Sequence, residues 1–330
     1  MLRWIRTCFV AALIGVMSVW ATLAIFYAAP GGRSEQWVMA IIFAGLSAAA
    51  WALPRFRKSR GLQFACGFLF LTVMIGFAAI QPSHQRDWRT DVAVLPRVMV
   101  EGDRARISGY RDFRYRGRED LDVRYLDREV DLSNLRGVDL FISYWQDGPM
   151  AHTFLTFRFD NAPPVCVSIE ARPEKNERFA PVRSLFKRYE LIYVVGDERD
   201  IVGVRARHRG EEVYLYPIRV SAEAARRLFL IYARQINQLA DDPEFYHLLS
   251  NSCTANLIRN AEAAGQKMPN FEGRFILNGW VDRYLHEVGL VDPSVTFEEL
   301  RRTARITEKA KAARDENFSE DIRKTVTAPK

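Results

Sequence analysis

Three long apolar runs open the chain, and a charged, alternating pattern follows them. Cys8 to Ala29 contains no charged residue and matches the ~20 apolar residues that cross a hydrocarbon core. Gly61 to Ile80 is equally free of charge, while Trp37 to Leu53 is shorter and rich in alanine. Together they predict a membrane anchor over residues 1–81, with transmembrane helices at about 8–29, 37–53 and 61–80. For the middle run a buried or re-entrant segment is the competing reading. A cleaved signal peptide fits the first run poorly, because Gly31, Gly32 and Arg33 follow it without a small-x-small site.

Beyond the anchor the period shortens. Residues 82–135 are interrupted by Pro82, Pro96, Gly102, Gly109 and Gly117, which predicts an irregular, short-strand segment lying close to the membrane. Apolar and β-branched runs at Val138 to Trp145, His152 to Asp160 and Val165 to Glu170, divided by turn residues at 146–149 and 161–164, predict a three-strand meander. Further strands are expected at Glu190 to Val195, Ile201 to Arg207 and Glu211 to Val220. The spacing then changes to 3.6 residues. Ser221 caps a helix whose Ala225, Leu228, Phe229, Tyr232, Ile236 and Leu239 share one face. A second helix runs from Cys253 to a glycine stop at Gly265, and a third fits Gly279 to Val288. Strands followed by helices make residues 136–297 an α+β domain. Residues 298–330 read as a charged C-terminal tail, helical in part and then disordered.

Charge sets the orientation. Arg3 and Arg6 precede the first run, and Arg55, Arg57, Lys58 and Arg60 crowd the loop after the second, whereas the loop at 31–36 holds only Arg33 and Glu35. Basic flanks stay cytoplasmic, so three crossings predict a multi-pass protein of a bacterial inner membrane. Its N-terminus is cytoplasmic and its C-terminal domain periplasmic. The net charge of +7 sits partly on these flanks. Arginines from Arg86 to Arg128 are interleaved with acids almost one for one, which excludes a nucleic-acid stripe and fits a solvated surface near lipid head groups.

The candidate chemistry centres on Cys253. It follows the polar turn Ser250-Asn251-Ser252 at the start of a helix, where unpaired N–H groups and the helix dipole favour a thiolate. His152 opens a strand and is the candidate base; its ring would share a strand face with Phe154 and Thr156, and the Cys253 helix is expected to pack on that face. Glu170 is the candidate third residue if its strand pairs with that of His152, with a plain arginine partner as the alternative. Asn251 is expected to cap the helix, and amides at the helix start to form an oxyanion hole. His84, His208, His247 and His286 read as structural or solvent-facing. Of the four cysteines, Cys8 and Cys66 lie in the apolar runs, which leaves a Cys166–Cys253 bridge as the alternative to a free thiol. No metal-ligand spacing and no cofactor motif is present.

The blocks Phe141 to Trp145, Ala151 to Phe154, Ser168 to Arg172, Tyr189 to Asp200 and Asn251 to Thr254 resemble the Lnb-type N-terminal periplasmic domain family, over roughly residues 100–292. The stretch from Gly273 to Trp280 is similar to that family's closing segment. The resemblance implies a papain-like, NlpC-related fold in permuted order, with histidine on an early strand and cysteine on a late helix. It also implies lipoprotein N-acyltransferase chemistry, in which Cys253 carries an acyl thioester and His152 moves the protons. Here the membrane spans precede the domain, whereas the best-known members suggest the reverse. The reading is therefore a membrane-anchored, periplasm-facing Cys–His thiol acyltransferase acting on lipoproteins or phospholipids. Its partners would be membrane lipids and a lipoprotein or other acyl acceptor. An NlpC-like cell-wall peptidase or amidase, and a non-catalytic membrane-bound scaffold, are the competing readings.

Overall fold

The structure, a computed structural model, describes residues 2–52, 60–118, 120–146, 148, 150–269, 278–324 and 326. Most of the basic loop at 54–60 and of the family's closing segment at 273–280, and parts of the turn at 146–149, lie outside the described residues. The chain divides into two compact units, and the first comprises Met1–Ser83 with Phe179–Arg188.

In that first unit the apolar runs are helical: α1 is Leu2–Ala28, α2 is Arg33–Ala52 and α3 is Arg60–Ala79. Among the described residues one stretch, Ala11–Ala28, is long and apolar enough to cross a membrane; the apolar part of α3, Phe64–Ala79, is shorter. Aromatic rings join the helices, with Trp20 edge-on to Phe77 at 5.2 Å and Phe26 to Trp37 at 4.6 Å. A helix end leaves its last carbonyls unpaired. Lys187 supplies them, donating from Nζ to the carbonyls of Phe77 (3.0 Å), Ala78 (3.2 Å) and Ile80 (3.0 Å).

The second unit, His84–Arg178 with Tyr189–Lys330, is built on one sheet. Its strands are β1 (Arg97–Glu101), β2 (Arg104–Arg111), β5 (Tyr125–Asp131), β6 (Leu135–Tyr144), β7 (His152–Phe159), β8 (Val165–Arg172), β9 (Glu190–Gly196) and β10 (Glu212–Ile218); the short pair β3 (Arg114–Tyr115) and β4 (Leu121–Asp122) stands apart. The order is β1-β2-β9-β8-β7-β6-β10, with β5 also on β2. The meander β6–β7–β8 forms with Phe141 opposite Phe154 and Phe154 opposite Ser168. Where β2 meets β9 in parallel, a Cβ on Gly196 would stand 2.5 Å from the Arg111 carbonyl, so only glycine admits the approach. Segment 82–135 is therefore more than a drape. It contributes β1, β2 and β5 to the main sheet, because Val98, Ala105, Ile107 and Val130 alternate into the core despite the glycine and proline breaks.

Helices cover both faces. On one, α5 (Ala222–Asp241), α6 (Cys253–Ala263), α7 (Val281–Glu287) and α8 (Phe297–Ala304) pack over Leu140, Leu155, Phe157, Val167 and Ile169. Phe157 meets Phe229 edge-on at 5.1 Å and Tyr232 at 5.7 Å. Ser221 caps α5 through Ala224 N–H. On the other face, α4 (Glu198–Gly203), α9 (Thr307–Ala312) and α10 (Phe318–Asp321) cover Phe141, Phe154, Cys166, Ile192 and Val194. The domain is α+β.

Two segments differ from their sequence pattern. Residues 201–207 were expected to form a strand but are helical, continuing α4 as a π-helical stretch, Val204–Arg209. Asp197 accepts from Arg199 N–H as a helix cap, and left-handed Gly210 (φ 69°) ends the segment. The tail is ordered through most of its described length and supplies core residues Ile306, Ala310, Phe318 and Ile322. Arg323 clasps it by donating to Asp139 (2.8 Å) and Glu198 (2.6 Å), both buried. Its apolar residues are too sparse for a periodicity argument, yet these four are buried. Phe318→Ala is expected to destabilise the domain by about 3–5 kcal/mol, as a buried aromatic does. Denaturant unfolding checks this; a loss below about 0.5 kcal/mol would mark the tail as mere surface.

Candidate active site

The thiol is seated by a tight turn. His247 and Asn251 exchange backbone hydrogen bonds of 3.3 and 2.8 Å, closing the residues between them into a loop ahead of α6. Asn251 pins this turn, donating from Nδ2 to Glu244 Oε2 and the Phe245 carbonyl at 2.9 Å each and accepting from Asn256 at 2.9 Å. It does not cap the helix. Ser252 does, accepting from Ala255 N–H, because it is the last residue with extended backbone (ψ 174°). Cys253 is then the first helical residue and only 2% exposed.

Strand β7 brings up the histidine by an unexpected route. Helix α6 packs on the face of Leu155 and Phe157, opposite the face that carries Phe154, and Thr153 Oγ1 lies 3.0 Å from Thr254 Oγ1 across that contact. The apolar stripe of α6, Leu257 and Ile258, is complementary to the α5 face rather than to the layer of α4 and α10. His152 still adjoins the sulfur because it is the first residue of β7, at the end of the sheet. Its ring stacks on Phe154 at 5.6 Å.

A polar chain leads away from the imidazole. His152 Nε2 is 2.7 Å from Ser168 Oγ, and Ser168 donates to Glu170 Oε1 at 2.8 Å. Glu170 lies 4.0 Å from Nε2, so the hydroxyl stands between base and carboxylate. Arg205, buried and stacked over Phe154 at 4.7 Å, donates to the same Glu170 oxygen at 2.8 Å. Glu170 thus has an arginine partner, but it is Arg205 and not the neighbouring Arg172. Glu211 lies on the far side, 3.9 Å from Arg205 Nε and accepting from Ser143 at 2.6 Å.

Electrostatics follow from these neighbours. Burial pushes the Cys253 thiol up, but the His152 charge, its hydrogen bond to sulfur and bonds from the backbone and side chain of Thr153 outweigh it and bring the pKa down to about 6. At pH 7 that makes thiolate the major form by about ten to one. Burial also works against ionised Glu170, yet Arg205, then His152, hold it well below the usual carboxylate range. Tyr246 is buried beside the sulfur: burial and the thiolate raise its pKa well above 10, while its oxygen accepts from Cys253 N–H. It stays protonated.

Of the residues expected from sequence, Cys253, His152 and Glu170 lie together around this end of the sheet, while Asn251 serves the turn. The four described cysteines are all free. A Cys166–Cys253 bridge does not form because Cys166 belongs to the opposite core, where burial raises its thiol. The other histidines are structural: His84 binds the Leu239 carbonyl, His286 that of Val295, His247 Ser250, and the His208 ring lies tilted against Tyr115. Sequence reasoning missed Ser168, Arg205 and Tyr246. The cap at Asp197 was the signal for Arg205, since it places 198–209 on a helix.

An apolar N-terminal helix and a folded α+β domain fit a membrane-associated protein. Residues 122–279 match the family description "Lnb N-terminal periplasmic domain", and this segment is similar to that family. His152, Ser168, Glu170, Arg205 and Cys253 all fall within the matched residues. No curated protein and no solved structure matches the chain.

Alkylation of Cys253 by iodoacetamide, followed by peptide mapping, is expected to rise through an inflection near pH 6 and then level off. His152→Ala should move that inflection toward the ordinary thiol value of about 8.5. Ser168→Ala should slow alkylation at pH 7 by about 3- to 10-fold, the kinetic equivalent of one ordinary hydrogen bond. An unchanged rate would mean that Ser168 does not position the ring.

Proposed function

We propose that this protein is a periplasm-facing, multi-pass membrane thiol acyltransferase that works through an acyl-Cys253 intermediate. The observation that carries the reading is the buried Cys253 thiol, held at about 6 beside His152. A helix that begins with the nucleophile and packs on the antiparallel strands β6–β8, with histidine on an earlier strand, supports a permuted papain-like arrangement. The three apolar helices support three crossings with basic flanks on the cytoplasmic side. Such an anchor suits substrates held in the same leaflet.

In the proposed reaction the thiolate attacks the ester carbonyl of a lipid donor, and a C–S bond forms as the carbonyl opens to an oxyanion. The Tyr246 hydroxyl and the positive start of α6 stabilise that oxyanion. Collapse breaks the C–O bond, and imidazolium His152 gives its proton to the departing alcohol. An acceptor amine, as at a lipoprotein N-terminus, then attacks the thioester. His152 takes the amine proton as the amide forms and the thiolate leaves. Ser168 holds the imidazole through Nε2, with Glu170 and Arg205 fixing Ser168 in turn.

Incubation with phospholipid labelled in its acyl chains is expected to leave hydroxylamine-sensitive label on the wild-type chain and none on Cys253→Ala. His152→Ala should lower the labelling rate by about 10²–10⁴-fold, the usual contribution of a positioned base. An unlabelled wild type that cleaves cell-wall peptides instead would overturn the acyltransferase reading.

A further inference from the structure

The helix that begins as α4 and continues as the π-helical stretch Val204–Arg209 carries two arginines about half a turn apart, Arg205 and Arg207. Arg205 turns to the sheet, where it donates to Glu170 at 2.8 Å and lies over the Phe154 ring. Arg207 turns to the C-terminal tail. Its Nε donates to the Ala310 carbonyl at 2.9 Å, Nη1 to Asp315 at 2.7 Å and Nη2 to the Ala313 carbonyl, and its guanidinium lies over the Phe318 ring at 5.1 Å. Ala310 and Ala313 stand at the end of α9, where helix carbonyls lack intrahelical partners. One planar fork therefore closes that helix end and joins it to the stretch that bears Arg205.

The tail holds this helix at three places. At its start Arg323 donates to both oxygens of Glu198, at 2.7 and 2.6 Å. Midway the Phe318 ring lies 3.7 Å from the position that a Cβ on Gly203 would take. Arg207 holds the far end. The tail is itself fixed to the last strand of the sheet, where Ile306 N–H donates to the Val213 carbonyl and Val213 N–H to Thr307 Oγ1, each at 2.9 Å. A π-helical run is rare, so contacts from outside decide whether residues 204–209 keep it. Relaxation to an α-helix changes the residues per turn and would rotate Arg205 about the helix axis, away from the buried Glu170 carboxylate.

We propose that Arg207 is a positioning residue for the thiol site: by clamping the tail to the π-helical stretch it fixes Arg205 on Glu170, and through Ser168 and His152 it keeps Cys253 poised for attack. The tail is then a working part of the site, although it lies beyond residues 122–279, which match the family. The proposal rests on the reading of Cys253 as the nucleophile. Facing the relay are Glu170 on β8, Glu211 ahead of β10, Arg111 on β2, Arg209 on the stretch itself, and His152 and Tyr246 beside the sulfur. Substituting Arg207 leaves each of them in place.

With the full chain in lipid nanodiscs, the pH profile of Cys253 alkylation by iodoacetamide is followed together with the thermal midpoint. Arg207→Gln is expected to move the inflection from about 6 to about 7, which cuts the thiolate fraction at pH 6 from about one half to about a tenth and slows alkylation there about fivefold. On a His152→Ala background the same substitution is expected to change the profile no further, because the relay ends at the imidazole. Should Arg207→Gln not fold, Arg207→Lys, which keeps the cation and loses the fork, must slow alkylation at pH 6 at least about twofold. Ile107→Val, a buried change on β2, is expected to lower the midpoint and leave the inflection where it is. A lowered midpoint with an unmoved inflection in the Arg207 variants would reduce the arginine to packing and overturn the proposal, as would an equal shift in Ile107→Val or on the His152→Ala background. A wild type whose Cys253 shows no inflection near 6 would overturn the thiol reading itself, and the proposal with it.

Discussion

The ion pair between Arg205 and Glu170 is the constraint on which the rest of the site depends. Both groups are largely withdrawn from water, and a buried charge is tolerated only when paired and hydrogen-bonded. Their pairing fixes the carboxylate that accepts from Ser168, and Ser168 in turn fixes the imidazole of His152. Only then is a positive charge placed where it can hold Cys253 as thiolate against the penalty of burial. Removing one partner would do more than delete a contact, because the other would be stranded in the core.

The sheet acts as a partition. The thiol and its helix belong to the core of α5, α6 and α7, whereas Phe154, Ile201 and Ala206 belong to the core on the other side. His152 adjoins both because a strand's first residue sits at the rim, where the period-two separation of faces no longer confines a side chain. This arrangement keeps the stabilising network on one side of the sheet and the helix that carries Cys253 on the other.

Much of this was legible in the chain. The meander, the Ser221 cap and the α5 stripe follow from periods and caps that local geometry enforces. Cys253 and His152 stood out because nucleophile and base are recognised by residue type and position in an element. Glu170 was legible as a neighbour of His152 once their strands pair, but not as a group working through Ser168. A serine on a strand carries no signal of its own.

The sequence by itself determined the apolar N-terminal runs, the α+β class and the candidates for thiol and base, since hydrophobic period, capping residues and side-chain chemistry are local properties. Tertiary structure alone decided which face α6 covers, that Arg205 meets Glu170 and that Tyr246 adjoins the sulfur. It also decided that the charged tail from Ile306 onward closes the second core. These depend on segments far apart in the chain competing for the same buried surface, and the outcome rests on shape and charge complementarity that no window of neighbouring residues contains.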